Sequence, residues 1–435
     1  MNYLWGNNTT DVDERVMRFL AADDVILDRQ LLHYDIQATV AHVEGLARIG
    51  LLSPAEQSDL CTGLDELARQ VADGKFVLDE RYEDGHSAIE AWLVERLGEV
   101  GEKVHTGRSR NDQVLVATRL FMRDALEELV GHCRVTAEAC LAQARDYAHT
   151  PMPGYTHMQR AVVSSVGTWF AGFAEAFIDN AVLAEASHNW INANPLGTAA
   201  GYGVNLLLDR DYTTSALAFD RLQLNPVYTQ NSRGKFELQA LNSLGQALLD
   251  VRRYAWDLSL FTSSEFGFVK LPEQLTTGSS IMPNKRNPDL IELLRATHGV
   301  VQGAITEMHA VLSLPSGYHR DLQTTKGPLL RAFARGLEAM SCMPALILST
   351  SFNEEKLRGA IEPAMYATDQ AIENARQGMP FRQAYRAAKT DLVDTTESTP
   401  EESLTKKVSP GAAGNLCLET LEQRLAKLTR AKVPK

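Results

Sequence analysis

The chain has 435 residues, 44% of them hydrophobic, and a formal net charge of −12. That length and apolar content suit two or three globular domains or one elongated one. The acidic balance excludes a protein that tracks nucleic-acid phosphates with a positive face, so no nucleic-acid partner is expected and an anionic small molecule would need a local island of cations. Nowhere do eighteen consecutive apolar residues occur, and the opening MNYLWGNNTTDVDERV has no basic segment followed by an apolar run. A cytoplasmic protein with no membrane partner is the expectation. The five cysteines, Cys61, Cys133, Cys140, Cys342 and Cys417, form no CxxC pair, which argues against a disulfide framework and a zinc site.

In chain order, the first clear element is a helix start at SPAEQSDL, 53–60, where serine stands at the N-cap, proline follows and glutamate takes the third position. No proline falls between Pro54 and Pro151, nor between Pro153 and Pro195, so long helices are expected there. HTGRSRNDQV, 105–114, reads as a helix N-terminus at which Thr106, Ser109 and Asn111 offer polar groups beside Arg108 and Arg110; an ordinary cap with solvated cations is the plainer alternative. Leu126, Leu129, Cys133, Thr136 and Cys140 keep the three-four rhythm of a bundle seam. PGYTHMQRA, 153–161, places Thr156 and His157 after a Pro-Gly turn, where a long helical stretch is expected to begin. A second seam runs through Leu238, Leu241, Leu244, Leu248, Val251, Ala255 and Leu258. β-Branched alternation is scarce throughout, so the fold class is all-α.

GSSIMPNKRNP, 278–288, holds two prolines that a helix interior or a buried strand would reject, and it reads as a loop. Its glycine would let backbone N–H groups converge on an anion, a serine supplies a proton-transfer oxygen, and Lys285 and Asn287 add a cation and an amide. Such a set suits the handling of carboxylates. DLVDTTESTPEES, 391–403, reads as an acidic surface loop in a small C-terminal helical domain. The expected organisation is an N-terminal helical domain over 1–105, a long-helix bundle over 106–352 and a C-terminal domain over 353–435. No glycine-rich phosphate loop is present.

GSSxMxxKxNP resembles the signature of the fumarase, aspartase and argininosuccinate lyase superfamily. The Leu4–Gly6 LWG, EDGHSAIE at 83–90, HTGRSRNDQV, PGYTHMQRA, NPLG at 194–197, SSEFGFVKLP at 263–272, LPSGYHRDLQ at 314–323 and GMPFRQA at 378–384 are similar, in the right order, to the argininosuccinate lyase family within it. The resemblance implies helical enzymes that cleave argininosuccinate to arginine and fumarate without metal or cofactor. It also implies a homotetramer with a twenty-helix core, each site drawing its three segments from three subunits. It makes Ser279 the acceptor of the succinyl proton and puts His157, with Glu292 as its charge partner, on the other side of the reaction. Thr156, Lys285 and Asn287 would hold the succinyl carboxylates; Asn111, Tyr318, Gln323 and Lys326, beside Ser109 and Arg110, would hold the arginine portion.

Three departures stand out. Val162, Val163 and Ser164 replace the usual Gln-Pro and threonine after PGYTHMQRA; Asp24, in AADDVILDR, occupies the place of an expected serine; and NSRGKFELQ, 231–239, lacks an Asp-Arg-Asp. An acid at 24 suits an ammonium or guanidinium partner. An adenylosuccinate lyase would share the loop but need a phosphate and purine pocket, and a crystallin-like relative would be a structural protein. Ser279, His157, Lys285 and Asn287 are all retained, which favours the enzyme.

Overall fold

The computed structural model describes residues 14–79, 81–390 and 398–428; LWG and most of the acidic stretch before Pro400 lie outside them. The all-α expectation holds. In chain order the helices are α1 (Glu14–Arg48), α2 (Pro54–Ala72), α3 (Gly85–Leu97), α4 (Arg110–Asp146), α5 (Val166–Ile191), α6 (Arg210–Ala216), α7 (Pro226–Asn231) and α8 (Lys235–Phe261). They continue with α9 (Asp289–Val311), α10 (Lys326–Ser349), α11 (Glu354–Gly359), α12 (Ala367–Arg376), α13 (Phe381–Thr390), α14 (Pro400–Lys406) and α15 (Leu418–Leu425). The strands are short and paired: β1 (Pro151–Thr156) with β2 (Gln159–Ser165), β3 (Ala193–Asn194) with β4 (Arg221–Leu222), β5 (Val269–Lys270) with β8 (Ser351–Phe352), and β6 (Thr277–Gly278) with β7 (Arg286–Asn287).

Two compact units divide the chain, one of residues 1–127, 184–244 and 301–334, the other of 128–183, 245–300 and 335–435. In the first, α1, α2 and α3 enclose a core of Leu32, Val43, Leu46, Leu60, Leu64, Leu67, Ile89 and Trp92. The helix start expected at Ser53 is there: its side chain accepts from the Glu56 N–H, Glu56 reaches back to the Ser53 N–H, and Pro54 fills the first helical position. A second cluster joins Leu31, Ala38 and Ala41 of α1 to Val116 and Leu120 of α4 and Leu330 of α10.

The second unit carries the seam of α4, in which Leu129, Cys133, Thr136 and Cys140 have no exposure. In α8, Leu241, Leu244, Leu248, Val251, Ala255 and Leu258 are equally buried, while Leu238, expected at the start of this seam, is only half-buried. The five cysteines are unpaired. Trp169 of α5 stacks on Tyr254 of α8 at 5.1 Å between ring centroids and donates to Asp257 at 2.9 Å, so the half-buried indole packs its rings and still satisfies its N–H.

PGYTHMQRA corrects the sequence reading. No helix begins there: Pro153 and Gly154 lie inside β1, and the chain reverses at His157 and Met158, with φ of 52° and 60°. Two successive positive φ values are the geometry of a tight two-residue hairpin. Each strand of a two-stranded sheet is an edge, so Pro151 and Pro153 cost it no ladder bond on their outer side. The helix starts later, at Val166. Val163 of β2 packs with Met365, Tyr366, Leu404 and Ala413, so the C-terminal helices hold the hairpin.

Candidate active site

In the first unit, one face of α1 carries Asp24, Asp28, Asp35, Thr39 and His42, spaced three, four or seven residues apart and hence aligned. Lys326, the first residue of α10, lies against this face with 3% of its side chain exposed, its Nζ 2.6 Å from Asp24 Oδ1 and 2.7 Å from Asp28 Oδ1. Burial opposes the lysine charge, but the two carboxylates outweigh it and raise the pKa above the usual value. Asp24 is pushed up by burial, with Lys326 pulling the other way and Asp28 adding repulsion. Gln323 donates to Asp24 and, at 2.9 Å, to the carbonyl of Leu20. The other oxygen of Asp28 accepts from the N–H of Gly85 at 3.1 Å, the first residue of α3, where a helix N-terminus favours negative charge. Asp24, which stands in place of a serine, thus takes the ammonium of Lys326 as its partner.

HTGRSRNDQV does begin a helix. Ser109 accepts from the Asn111 N–H at 3.3 Å, and Asp112 Oδ1 accepts from the Ser109 N–H at 2.9 Å. Asp112 Oδ2 also accepts from Gly197 and Ala199, both at 3.0 Å, tying the helix start to the NPLG segment. Neither arginine is without a partner in the chain. Arg108 donates to Thr39 at 2.9 Å and to His105 Nδ1 at 2.8 Å, while Arg110 holds Glu83 at 2.7 Å and Asp84 at 2.9 Å. Arg110 is therefore neutralised within the chain, while Arg108 is committed to uncharged acceptors.

The GSSIMPNKRNP segment is a loop closed at its base by β6 and β7, where Thr277 pairs with Asn287 and Gly278 with Arg286. Its glycine has strand geometry and open space beside it, and the backbone N–H groups of Ile281 and Met282 converge on Ser279 Oγ, at 3.3 and 3.0 Å. The expected convergence on an external anion is therefore replaced by an internal one that singles out Ser279. Ser280 and Lys285 are exposed, Ser279 and Asn287 half-buried. Thr156 and His157 stand exposed at the tip of the hairpin. Glu292, in the first turn of α9, lies 3.5 Å from Arg295, and among the described residues no hydrogen bond or ion pair joins it to His157.

The structure thus connects Asp24, Gln323 and Lys326 directly, with Arg110 close enough for the charge of Asp24 to act on it. Tyr318 stands in the same unit, and Ser109 and Asn111 flank Arg110. Thr156 and His157 sit on one element of the second unit, Ser279, Lys285 and Asn287 on another. Of the α1 face the sequence singles out only Asp24, and Asp112 not at all, although Asp28, Asp35, Thr39 and His42 follow Asp24 at helical spacing. Among the described residues, ligand atoms of His86, Glu90 and His105 lie within 4.8 Å of one another, but both ring nitrogens of His105 are taken, Nε2 by the His86 carbonyl at 3.1 Å and Nδ1 by Arg108 at 2.8 Å, so the three do not fit a metal. Burial, then Arg108 and Arg110, depress His86 to a pKa of about 2.

The family described as Lyase matches residues 7–303, which defines the class. Among curated proteins, argininosuccinate lyase of Xylella fastidiosa is 58% identical over 428 residues, covering 98% of this chain and 96% of that one. Argininosuccinate lyase of Stenotrophomonas maltophilia is 57% identical, covering 97% and 98%. The chain belongs to the argininosuccinate lyase family. Among solved structures, an EDDS lyase variant with bound fumarate superposes with a TM-score of 0.78 at 22% identity, covering 96% of this chain and 91% of that chain. A class II fumarase from Schistosoma mansoni gives 0.73 at 16% identity, covering 89% and 92%. Both share the fold.

Proposed function

We propose that this chain catalyses the reversible β-elimination of argininosuccinate to arginine and fumarate, as a cytoplasmic homotetramer. Near-full-length identity to argininosuccinate lyases supports the substrate. The observation that carries the chemistry is the turn at Ser279, whose Oγ receives two backbone N–H groups. Those donors stabilise an alkoxide more than a hydroxyl, which is what a serine base requires.

In this mechanism Ser279 removes the proton next to a succinyl carboxylate, and the resulting dianionic intermediate is held by Lys285, Asn287 and Thr156. Closure of the exposed loop excludes water from it. A guanidine leaves poorly as an anion, so His157 protonates the departing nitrogen, with Glu292 orienting the ring. Asn111, Ser109, Arg110, Tyr318, Gln323 and the Lys326–Asp24 pair hold the arginine portion. Among the described residues no hydrogen bond or ion pair joins His157 to Glu292, and in the proposed homotetramer the pair would be completed from different subunits.

The test is fumarate absorbance in the ultraviolet, with argininosuccinate and adenylosuccinate offered separately to purified protein. Release from argininosuccinate alone is expected. Release from adenylosuccinate alone identifies the other lyase, and release from neither leaves a structural protein.

A further inference from the structure

Arg233, in the NSRGKFELQ segment that departs from the family pattern, is only 4% exposed, yet no hydrogen bond or ion pair joins its guanidinium to another described residue. The carboxylates whose charge it feels are committed elsewhere. Asp24 spends one oxygen on Lys326 and the other on Gln323. Glu237 accepts from the Gly234 N–H at 2.7 Å. Among the described residues its donors are thus left uncommitted.

Its position is fixed by neighbours already assigned to the site. Asn231 Oδ1 accepts from the Gly317 N–H at 2.8 Å, which ties this segment to the one bearing Tyr318, and the guanidinium carbon lies 5.9 Å from the centroid of the Tyr318 ring. Gly234 follows with φ of +80°, and a Cβ there would come within 2.2 Å of Leu312, so the turn after Arg233 admits no side chain. The backbone that carries the cation is thus fixed on both sides. Argininosuccinate carries three carboxylates, and the residues assigned above to Thr156, Lys285 and Asn287 account only for the two on its succinyl half.

We infer that Arg233 is the receptor for the α-carboxylate of the amino-acid half of the substrate, bound through the paired N–H groups of its guanidinium beside Tyr318. This rests on the proposed function. A planar guanidinium matches a carboxylate in two-point contact, which a lysine does not reproduce.

The test runs the reaction backwards, condensing fumarate with arginine or with agmatine, which is arginine lacking that carboxylate. The wild-type chain is expected to favour arginine strongly. Arg233→Gln should raise the KM for arginine about 10- to 100-fold, as loss of a charged hydrogen bond does, and leave agmatine within about threefold, so the preference collapses. Arg233→Lys, which keeps the charge without the fork, should give an intermediate ratio and serves as the readout if the glutamine variant does not fold. Equal losses with both amines, or an undiminished arginine preference in either variant, overturn the assignment. A wild-type chain that condenses neither amine overturns the parent function and this role with it.

Discussion

Replacing Ser279 by alanine tests the proton-transfer role, and its size follows from the turn that holds the side chain. The Oγ accepts from Ile281 at 3.3 Å and from Met282 at 3.0 Å. A hydrogen bond contributes about 0.5–1.5 kcal/mol to a neutral acceptor and about 1.5–3 to a charged one. Two of them therefore favour the alkoxide by about 2–3 kcal/mol, or about two pK units at 1.36 kcal/mol per unit. That brings the serine toward competence without making it a strong base at rest, consistent with activation on loop closure. Removing a positioned general base costs about 10²–10⁴ in rate, so Ser279→Ala should lower kcat by that factor and move KM by less than about tenfold, since the proton is lost only on the way to the transition state. Ser280 is exposed and receives no such pair of donors, and Ser280→Ala should lower kcat less than about tenfold. Ser280→Ala should unfold within about 0.5 kcal/mol of wild type, as surface substitutions usually do, and Ser279→Ala should lose about 1–3 kcal/mol with its two hydrogen bonds. Fumarate release at saturating and limiting substrate, alongside urea unfolding, reads all of these. Equal kcat losses from the two serines, or a Ser279→Ala defect confined to KM, would refute the assignment.

Lys326→Met strands Asp24 and Asp28, whose side chains are 14% and 9% exposed, and urea titration should show about 3–5 kcal/mol lost; adding Asp28→Asn should recover part of it, and no recovery would show that the loss is not electrostatic. His42 is buried, and burial together with Arg108 holds its pKa down at about 3. Its folded pKa lies below the unfolded value of 6.5, so its contribution is full above pH 6.5 and is lost as the pH falls from 6.5 toward 3, at up to about 1.4 kcal/mol per pH unit. His42→Gln should therefore lose stability less steeply than wild type between pH 6.5 and 5 in thermal unfolding, and parallel slopes would contradict a buried neutral imidazole.

Local periodic signals were legible. The seams of α4 and α8 and the capping box at Ser53 each depend on residues within a turn or two of one another, and all three stand where the sequence puts them. The hairpin of PGYTHMQRA was hidden because its strands are short, carry two prolines and belong to a sheet with no interior strand; its turn is set by positive φ at His157 and Met158, residues with no glycine-like signature. The arginines at 108 and 110 looked like available cations because their acceptors, Thr39, Glu83 and Asp84, come from other segments. For the same reason nothing near Lys326 in the chain announced the carboxylates of Asp24 and Asp28, about 300 positions away. Residue types at the site could be read from motifs; which charges they spend on one another could be read only from the fold.

The central claim is that one catalytic centre is assembled from different subunits, and complementation tests it most directly. In the proposed homotetramer, His157→Asn chains alone and Ser279→Ala chains alone should each be inactive at every site. When the two are unfolded together in equal amounts and refolded, random assembly gives an intact histidine and an intact serine at about a quarter of the sites if the two residues come from different chains. The account predicts fumarate release at about that fraction of wild type. Mixed tetramers, verified by native mass spectrometry, that are no more active than their parents would contradict it.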